Sequence, residues 1–590
     1  MANVSQQIPN FLGGVSQASD IQKATNEVDD IINGYPDATY GLIKRPGSQW
    51  LYGIDNITDP FDYHWFTINS SGIPYLGCVG NQDVRIWNTL TGDEEDVTVT
   101  DEAKAYLAAA TNPLTQQLYT ARDQFEVYPL EKGTILLNKY KVAARSDEEL
   151  PDKPIVEVSI YTDLPDEPVD GTVYKILNTP IDEDNYWVEY ISGAWKEVPT
   201  PKQTYKLDPT TLPHGIINLS PGVWAVGELT YADRLVGSNK TVPFPSFVGK
   251  PIKSVFAYMN RIGFLAGSNV IMSQPLTPVN DQITQVQAIS YFGISSFTVS
   301  EADPVDISVA SVRDVVLFSS TPGRQGIVLF GDNEQFLLYS TDRIISPSTA
   351  QIRSLSTWEM NNRIDPVELD SEFFFVTGQA PLNQHARLIK MVVRGMEEDP
   401  LCTDVSKDVA QWIPSQIYQM QSSTQEQFVS LVIGSNNMYF YRYFKENGEV
   451  TMKAWFRWRV DAGEQIIYHS IINGNLYLVL KTEDDKVNVL FSQLTTSISN
   501  DILDPDLNDA PRPFLSIKPN MDLYTVVDSS SLKSGKTQVV LNNDYPKLSN
   551  AEYLPFLLLA ANNIPRSMQY ENISAGYGVP MVYNLSLIHI

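Results

Sequence analysis

The side chains in this 590-residue chain that could do chemistry are few and scattered, apart from its many carboxylates. His64, His214, His385, His469 and His589 share no metal-ligand spacing such as H-E-x-x-H, so each reads as a core or surface histidine. Cys78 and Cys402 cannot build a disulfide framework or a four-thiolate zinc site, and read as buried reduced thiols. No G-x-S-x-G elbow, Walker A loop or G-x-G-x-x-G fingerprint occurs. Asp504-Pro505-Asp506-Leu507-Asn508 starts like a calcium loop but lacks the glycine and the terminal glutamate that such a loop needs. Two carboxylates about 5 to 9.5 Å apart would serve a glycosidase, and the abundance of acids leaves that chemistry open. The S-x-D-x-G-x-T-W box of sialidase propellers does not occur. Trp455-Phe456-Arg457-Trp458-Arg459 interleaves aromatics and bases, as single-strand nucleic-acid binders do. A strand of period two explains it without nucleic acid: Phe456, Trp458 and Val460 on a buried face, Trp455, Arg457 and Arg459 on an exposed one. The sequence predicts no cofactor, no metal and no catalytic residue.

The elements that carry these residues read as β. The apolar fraction is 43% and the aromatic fraction 11%, which suits a folded chain. Thirty tyrosines with 37 prolines and 33 glycines favour short strands and many turns. The length exceeds one hydrophobic core. Residues 75–79, 83–87 and 97–100 read as the strands of one propeller-like blade. A short helix is expected over 100–110 with Thr100 as its cap, then strands at 118–122 and 134–142. Aromatic residues at 185–191 and 194–198 around Ser192-Gly193 signal a hairpin. Its Trp187 and Trp195 suit either a small core or a sugar platform. Further strand pairs recur roughly every 40 to 60 residues, close to a propeller period. The fold class expected is mainly β: an irregular, interrupted β-propeller with inserted small β domains and an extended N-terminal arm. The expected segments are an arm with first strands (1–60), a propeller part (61–145), an inserted β domain (146–245), propeller blades (246–495) and a C-terminal β platform (496–590).

The arm holds the most specific pattern. Ser5-Gln6 recurs as Ser16-Gln17 after Gly13-Gly14, and the run closes on Gly41-Leu42-Ile43-Lys44-Arg45-Pro46. Paired glycines allow φ > 0 and close backbone approach. This order, SQ-x-I-x-N-x-x-GG-V-SQ and then GL-x-KRP, resembles the opening of tail tubular protein B, the nozzle family of short-tailed, autographivirus-type phages. Asn260-Arg261-Ile262-Gly263-Phe264-Leu265-Ala266-Gly267 and Asp303-Pro304-Val305-Asp306 follow in the order that family shows. The resemblance covers most of residues 4–520, with gaps over the insertion.

The resemblance implies a structural virion protein rather than an enzyme. It implies a six-fold ring of copies below a tail adaptor (tail tubular protein A), tail fibres docked at the flank, and double-stranded DNA ejected through the lumen. It places the protein in the virion tail after assembly in the bacterial cytoplasm. The assembly motif would be Gly13, Gly14, Ser16, Gln17, Lys44, Arg45 and Pro46, with the arm free to pair with a neighbour's sheet edge. The net charge of −28 agrees with a conduit, because an acidic wall repels the phosphate backbone. Asp501, Asp504, Asp506 and Asp509 form a candidate acidic channel loop. The alternative is a polysaccharide-cleaving or carbohydrate-binding propeller of the tail. The N-terminus carries no basic-then-apolar leader, and the apolar run 554–561 is too short to span a bilayer, so no membrane anchor is expected. The closing LSLIHI (585–590) matches one frame of a transposase sequencing adaptor and is expected to truncate a longer gene.

Overall fold

β-Branched and aromatic residues, alternating between glycine- and asparagine-rich turns, make strands the dominant element of this chain. The computed structural model describes residues 10–494 except 276–299 and short stretches at 40, 114, 131–132, 178–179, 312–313, 343, 379–383, 396–397, 447–448 and 461–462. Beyond 494 it describes only the strands Leu523–Tyr524 and Val582–Asn584. Asp501, Asp504, Asp506 and Asp509, and nearly all of the expected platform, lie outside the described residues. The chain forms two units: 1–61, 363–392 and 402–590 in the first; 62–362 and 393–401 in the second.

The first unit is built from meanders. Val367–Leu369, Glu372–Thr377, Arg387–Val392 and Leu401–Asp404 form one four-stranded sheet. Gln419–Ser423, Phe428–Val432, Asn437–Glu446 and Glu449–Arg459 form the next, extended by Asp30–Ile32 and then by Val582–Asn584. Gln465–Ile472, Asn475–Lys481 and Val487–Gln493 form the third. Its fourth strand is Ser48–Ile54, antiparallel to Val487–Gln493 from Ile54↔Val487 to Ser48↔Ser492. The chain's beginning therefore completes a sheet formed by residues more than 400 positions later. Cross-strand aromatic pairs fill the core: Phe440 and Phe456, directly opposed, stack with centroids 5.0 Å apart.

The second unit begins with a three-stranded sheet, His64–Ser70, Ile73–Gly80 and Asp83–Asn88. The expected third blade strand at 97–100 does not join it. Asp96–Val99 instead pairs in parallel with Val223–Glu228, at the edge of a five-stranded sheet that also holds His214–Ser220, Gly133–Asn138 and Phe125–Leu130. The helix Asp101–Tyr106 has Thr100 as its cap, as expected, with the Thr100 hydroxyl accepting from the Ala103 N–H. The strand expected at 118–122 is absent: Leu118 makes a single bridge to Thr111, and Thr120 caps the short helix Ala121–Gln124. A cap residue two positions into a short apolar run is enough to favour the helical turn.

A separate small sheet contains Ile155–Val158, Val173–Ile176, Tyr186–Ile191 and Ala194–Glu197 around a core of Tyr174, Ile176 and Val188. Ser192 (φ 55°) and Gly193 (φ 86°) supply the two left-handed residues that a tight hairpin requires. Two four-stranded meanders follow. One is Ser254–Tyr258, Arg261–Ala266, Asn269–Met272 and Val305–Ser308; the other is Leu317–Pro322, Ile327–Gly331, Gln335–Tyr339 and Gln351–Ser356. The expected fold class is borne out: the chain is mainly β, divided among small, blade-like sheets.

Candidate assembly site

Of the predicted motif residues, Gly14 meets the first unit's central hairpin, Asn437–Glu446 with Glu449–Arg459, and the others are held by the segment itself or by residues near 408–411. Gly14–Val15 pairs in parallel with Glu27–Val28, so the segment folds back on itself before it docks. Gly14 lies at φ 74°. A Cβ there would sit 2.5 Å from the Trp455 nitrogen and 2.6 Å from Ala454 Cα, so only glycine allows the two backbones this close. Ser16 is buried, and its N–H donates to the Val28 carbonyl at 2.9 Å. Gln17 is held twice: its N–H donates to the Asp408 carbonyl at 2.8 Å, and its Oε1 accepts from the Gln411 N–H at 2.8 Å. Arg45 is buried, with its N–H on the Asn33 carbonyl at 2.9 Å, Pro46 is buried beside it, and Lys44 ends the strand Gly41–Lys44. All seven motif residues thus lie in the segment that docks on their own chain.

Asn33 turns the segment against the hairpin's last strand. It adopts φ 59°, its N–H donates to the Arg457 carbonyl at 2.9 Å, and its Oδ1 accepts from the Arg459 N–H at 2.8 Å. Asp30 pairs with Arg457, and Trp458 Nε1 donates to the Gly34 carbonyl at 3.0 Å. Tyr35 then enters the core completely. Its hydroxyl donates to Glu426 at 2.8 Å, and the Arg442 guanidinium lies over its ring, 4.2 Å from the centroid. Arg442 also donates to the Pro36 carbonyl at 2.5 Å and to the Glu426 carbonyl at 3.0 Å, and lies 3.4 Å from the Asp37 carboxylate. Burial pushes the Tyr35 phenol well above its ordinary value, against the opposing pull of Arg442, so it stays a neutral donor. Buried charges of this kind are tolerable only when each is paired and hydrogen-bonded. Here the pairing spans roughly 390 to 405 residues of sequence, so it exists only when the segment is docked.

The Trp455–Arg459 stretch has a different design from the expected one. Phe456 and Trp458 are buried as predicted, but Trp455 is buried too. It packs on Tyr441 (centroids 5.0 Å apart) and donates from Nε1 to the Val405 carbonyl at 3.0 Å. Both faces of this strand are covered, the second by Trp412 and the N-terminal segment.

Several other chemistry-bearing residues are packed into the interior or paired. His469 is buried, with its ring between Ser430 Oγ (2.7 Å) and Gln419 Oε1 (2.9 Å), and burial pulls its pKa down to about 3. His214 stacks on Tyr106 at 4.1 Å and is pulled down to about 4 by burial. Neither cysteine is in a disulfide: Cys78 is buried as expected, whereas Cys402 is only half-buried. Glu372, a buried carboxylate, is matched by Lys390 at 3.2 Å and Lys445 at 3.0 Å. Among the described residues no group of three or more His, Cys, Asp or Glu could hold a metal ion. No helix among them is long and apolar enough to cross a membrane.

The profile of the bacteriophage nozzle protein family matches residues 1–154 and 137–506. The chain belongs to that family. Tail tubular protein gp12 of Escherichia phage T7 is 23% identical over 581 residues, covering 82% of this chain and 72% of that one. The WD40 domain of Neurospora crassa Pan2 is similar at TM-score 0.34 and 8% identity, covering 77% of this chain and 99% of that one. In this nozzle protein, sequence reasoning missed Asn33, Tyr35, Glu426 and Arg442. The Asn33-Gly34 dipeptide was a usable turn signal. Nothing local marks Glu426 or Arg442 as partners of Tyr35.

Proposed function

We propose that this structural tail protein forms the wall of the nozzle: copies close into a six-fold ring beneath a tail adaptor of the tail tubular protein A kind. Double-stranded DNA passes down the lumen during ejection, and tail fibres attach at the flank. The carrying observation is the nozzle-family match across residues 1–154 and 137–506. The name of the T7 relative, a tail tubular protein, supports the same placement in the virion tail. The charge supplies the physics. At −28 per copy, a lumen lined with carboxylates repels phosphate and lets the duplex slide. The loop at Asp501, Asp504, Asp506 and Asp509 is the proposed lining. The protein does no chemistry in this reading; it would assemble in the host cytoplasm from reduced subunits.

The docked N-terminal segment supports a rigid wall, because it ties residues 13–54 to strands near 440–460 and 487–493. The sugar-platform alternative fits poorly, since Trp187 is buried and Trp195 is packed edge-on against Tyr174 and Tyr190. Electron microscopy of the purified full chain, alone and mixed with its adaptor, tests the proposal. Closed six-fold rings with an acidic bore are expected; a cationic bore, or a chain that never closes with adaptor present, would sink it.

A further inference from the structure

One strand crossing of the second unit gathers lysines, although the chain as a whole is strongly acidic. Residues 139–143 run antiparallel to 249–253, joined by a bridge between Val142 and Pro251 and by the Ala143 N–H on the Lys250 carbonyl at 3.1 Å. This crossing gathers Lys139, Lys141, Lys250 and Lys253. Lysines elsewhere typically rest on a carboxylate: Lys153 on Glu189, Lys206 on Glu148, Lys390 on Glu372, Lys453 on Asp408. Among the described residues these four make no ion pair. Lys253 donates to the Lys139 carbonyl at 2.9 Å and lies 4.5 Å from the Tyr140 ring centroid; Lys250 donates to Asn269 at 3.1 Å. Two nearby carboxylates, Glu126 and Asp306, are engaged otherwise. Glu126 accepts from Ser254 Oγ and the Val255 N–H, and Asp306 accepts from the N–H and hydroxyl of Ser246. Burial and the neighbouring Lys139 pull the Lys253 amine down to about 8, as expected for positive charges left uncompensated.

Apolar groups flank the charges. Tyr119 stacks on Tyr140 at 3.7 Å, and Leu118 and Val142 stand 65% and 50% exposed beside the pair. Lysines alone would suit a phosphate backbone. Exposed aliphatic side chains contribute nothing to phosphate contact, but they match the apolar centre of a protein interface with a charged rim. Another copy of this chain has the complementary charge, carrying 70 acids against 42 bases.

We propose that the Lys139–Lys141/Lys250–Lys253 crossing is a docking surface for carboxylates on a second copy of this chain. A positive patch meeting a different, negative patch on the neighbour is a heterologous contact, the kind that closes rings rather than two-fold dimers. The proposal rests on the ring reading above and specifies one of its interfaces.

The test mixes unlabelled and 15N-labelled full chain in equal amounts and joins touching amines and carboxylates with a zero-length carbodiimide. Mass spectrometry should find mixed-isotope links from the peptides of Lys139 and Lys141 to acidic peptides of the other copy. The double variant Lys139→Glu/Lys141→Glu should raise the half-assembly concentration in sedimentation by about tenfold. Lys139→Arg/Lys141→Arg should assemble like wild type, and the circular dichroism of all variants should match. Rings that form without such links, or a double variant that assembles at the wild-type concentration, overturn this surface and leave the ring intact. Wild type that never self-associates, even with adaptor present, overturns both. Binding of a 30-base-pair duplex that the charge reversal abolishes, with assembly unchanged, would assign the patch to DNA instead.

Discussion

Gly14→Ala probes the N-terminal clasp most directly. The new methyl group would meet two backbone positions, the Trp455 nitrogen at 2.5 Å and Ala454 Cα at 2.6 Å, and neither can swing aside as a side chain would. Overpacking of this kind costs about 1–3 kcal/mol. The left-handed backbone at φ 74° adds about 1–2 kcal/mol for any residue with a Cβ. The sum is about 2–5 kcal/mol, enough to raise local opening roughly thirtyfold to several thousandfold. Gly41 is the matched control. It has nearly the same φ, 77°, but a Cβ there meets nothing within 4 Å, so Gly41→Ala should cost only the backbone term. Hydrogen exchange supplies the readout. The amides of Ser16, Gln17 and Asn33 are bonded to Val28, Asp408 and Arg457, and should exchange much faster in Gly14→Ala than in Gly41→Ala. Equal exchange in the two variants would refute the idea that close backbone approach holds the segment.

Tyr35→Phe removes one buried donor to Glu426 and should cost about 1–3 kcal/mol in thermal unfolding. Arg442→Met leaves Glu426 and Asp37 buried without their cation and should cost more, about 3–5 kcal/mol. Burial lowers the pKa of His469 and His214 to about 3 and about 4, so below the unfolded value of about 6.5 the unfolded chain binds more protons. Their contribution to stability is therefore complete above about pH 6.5 and declines as pH falls towards 4; urea midpoints across that range should show the loss, and His469→Gln should reduce its slope, leaving the share of His214. Trp187→Ala should destabilise the small four-stranded sheet by about 3–5 kcal/mol while leaving glycan-array binding at background; a lost glycan signal without lost stability would restore the sugar platform.

Several elements were legible because their signals are local. The hairpin at Ser192-Gly193 and the Thr100-capped helix follow from turn and cap chemistry carried within a few residues. The same holds for the left-handed turn at Gly14. The strand misread at 118–122 failed because a cap at Thr120 outweighed a short apolar run. The blade misread at 97–100 failed because partner choice is not local: Asp96–Val99 found Val223–Glu228, about 127 residues on, instead of the sheet just before it.

By itself the sequence determined that this is an acidic, turn-rich β chain, and its N-terminal order of residues pointed to the nozzle family. Only the tertiary structure decided where that segment goes. Its glycines, Asn33 and Tyr35 could have served a neighbour equally well, because backbone hydrogen bonds and buried pairs do not specify whose strand supplies the partner. Gly14 against Trp455, Tyr35 against Glu426 and Ser48 against Ser492 place the segment on its own unit. Four lysines left unpaired on the second unit likewise became visible only when two segments more than 100 residues apart crossed.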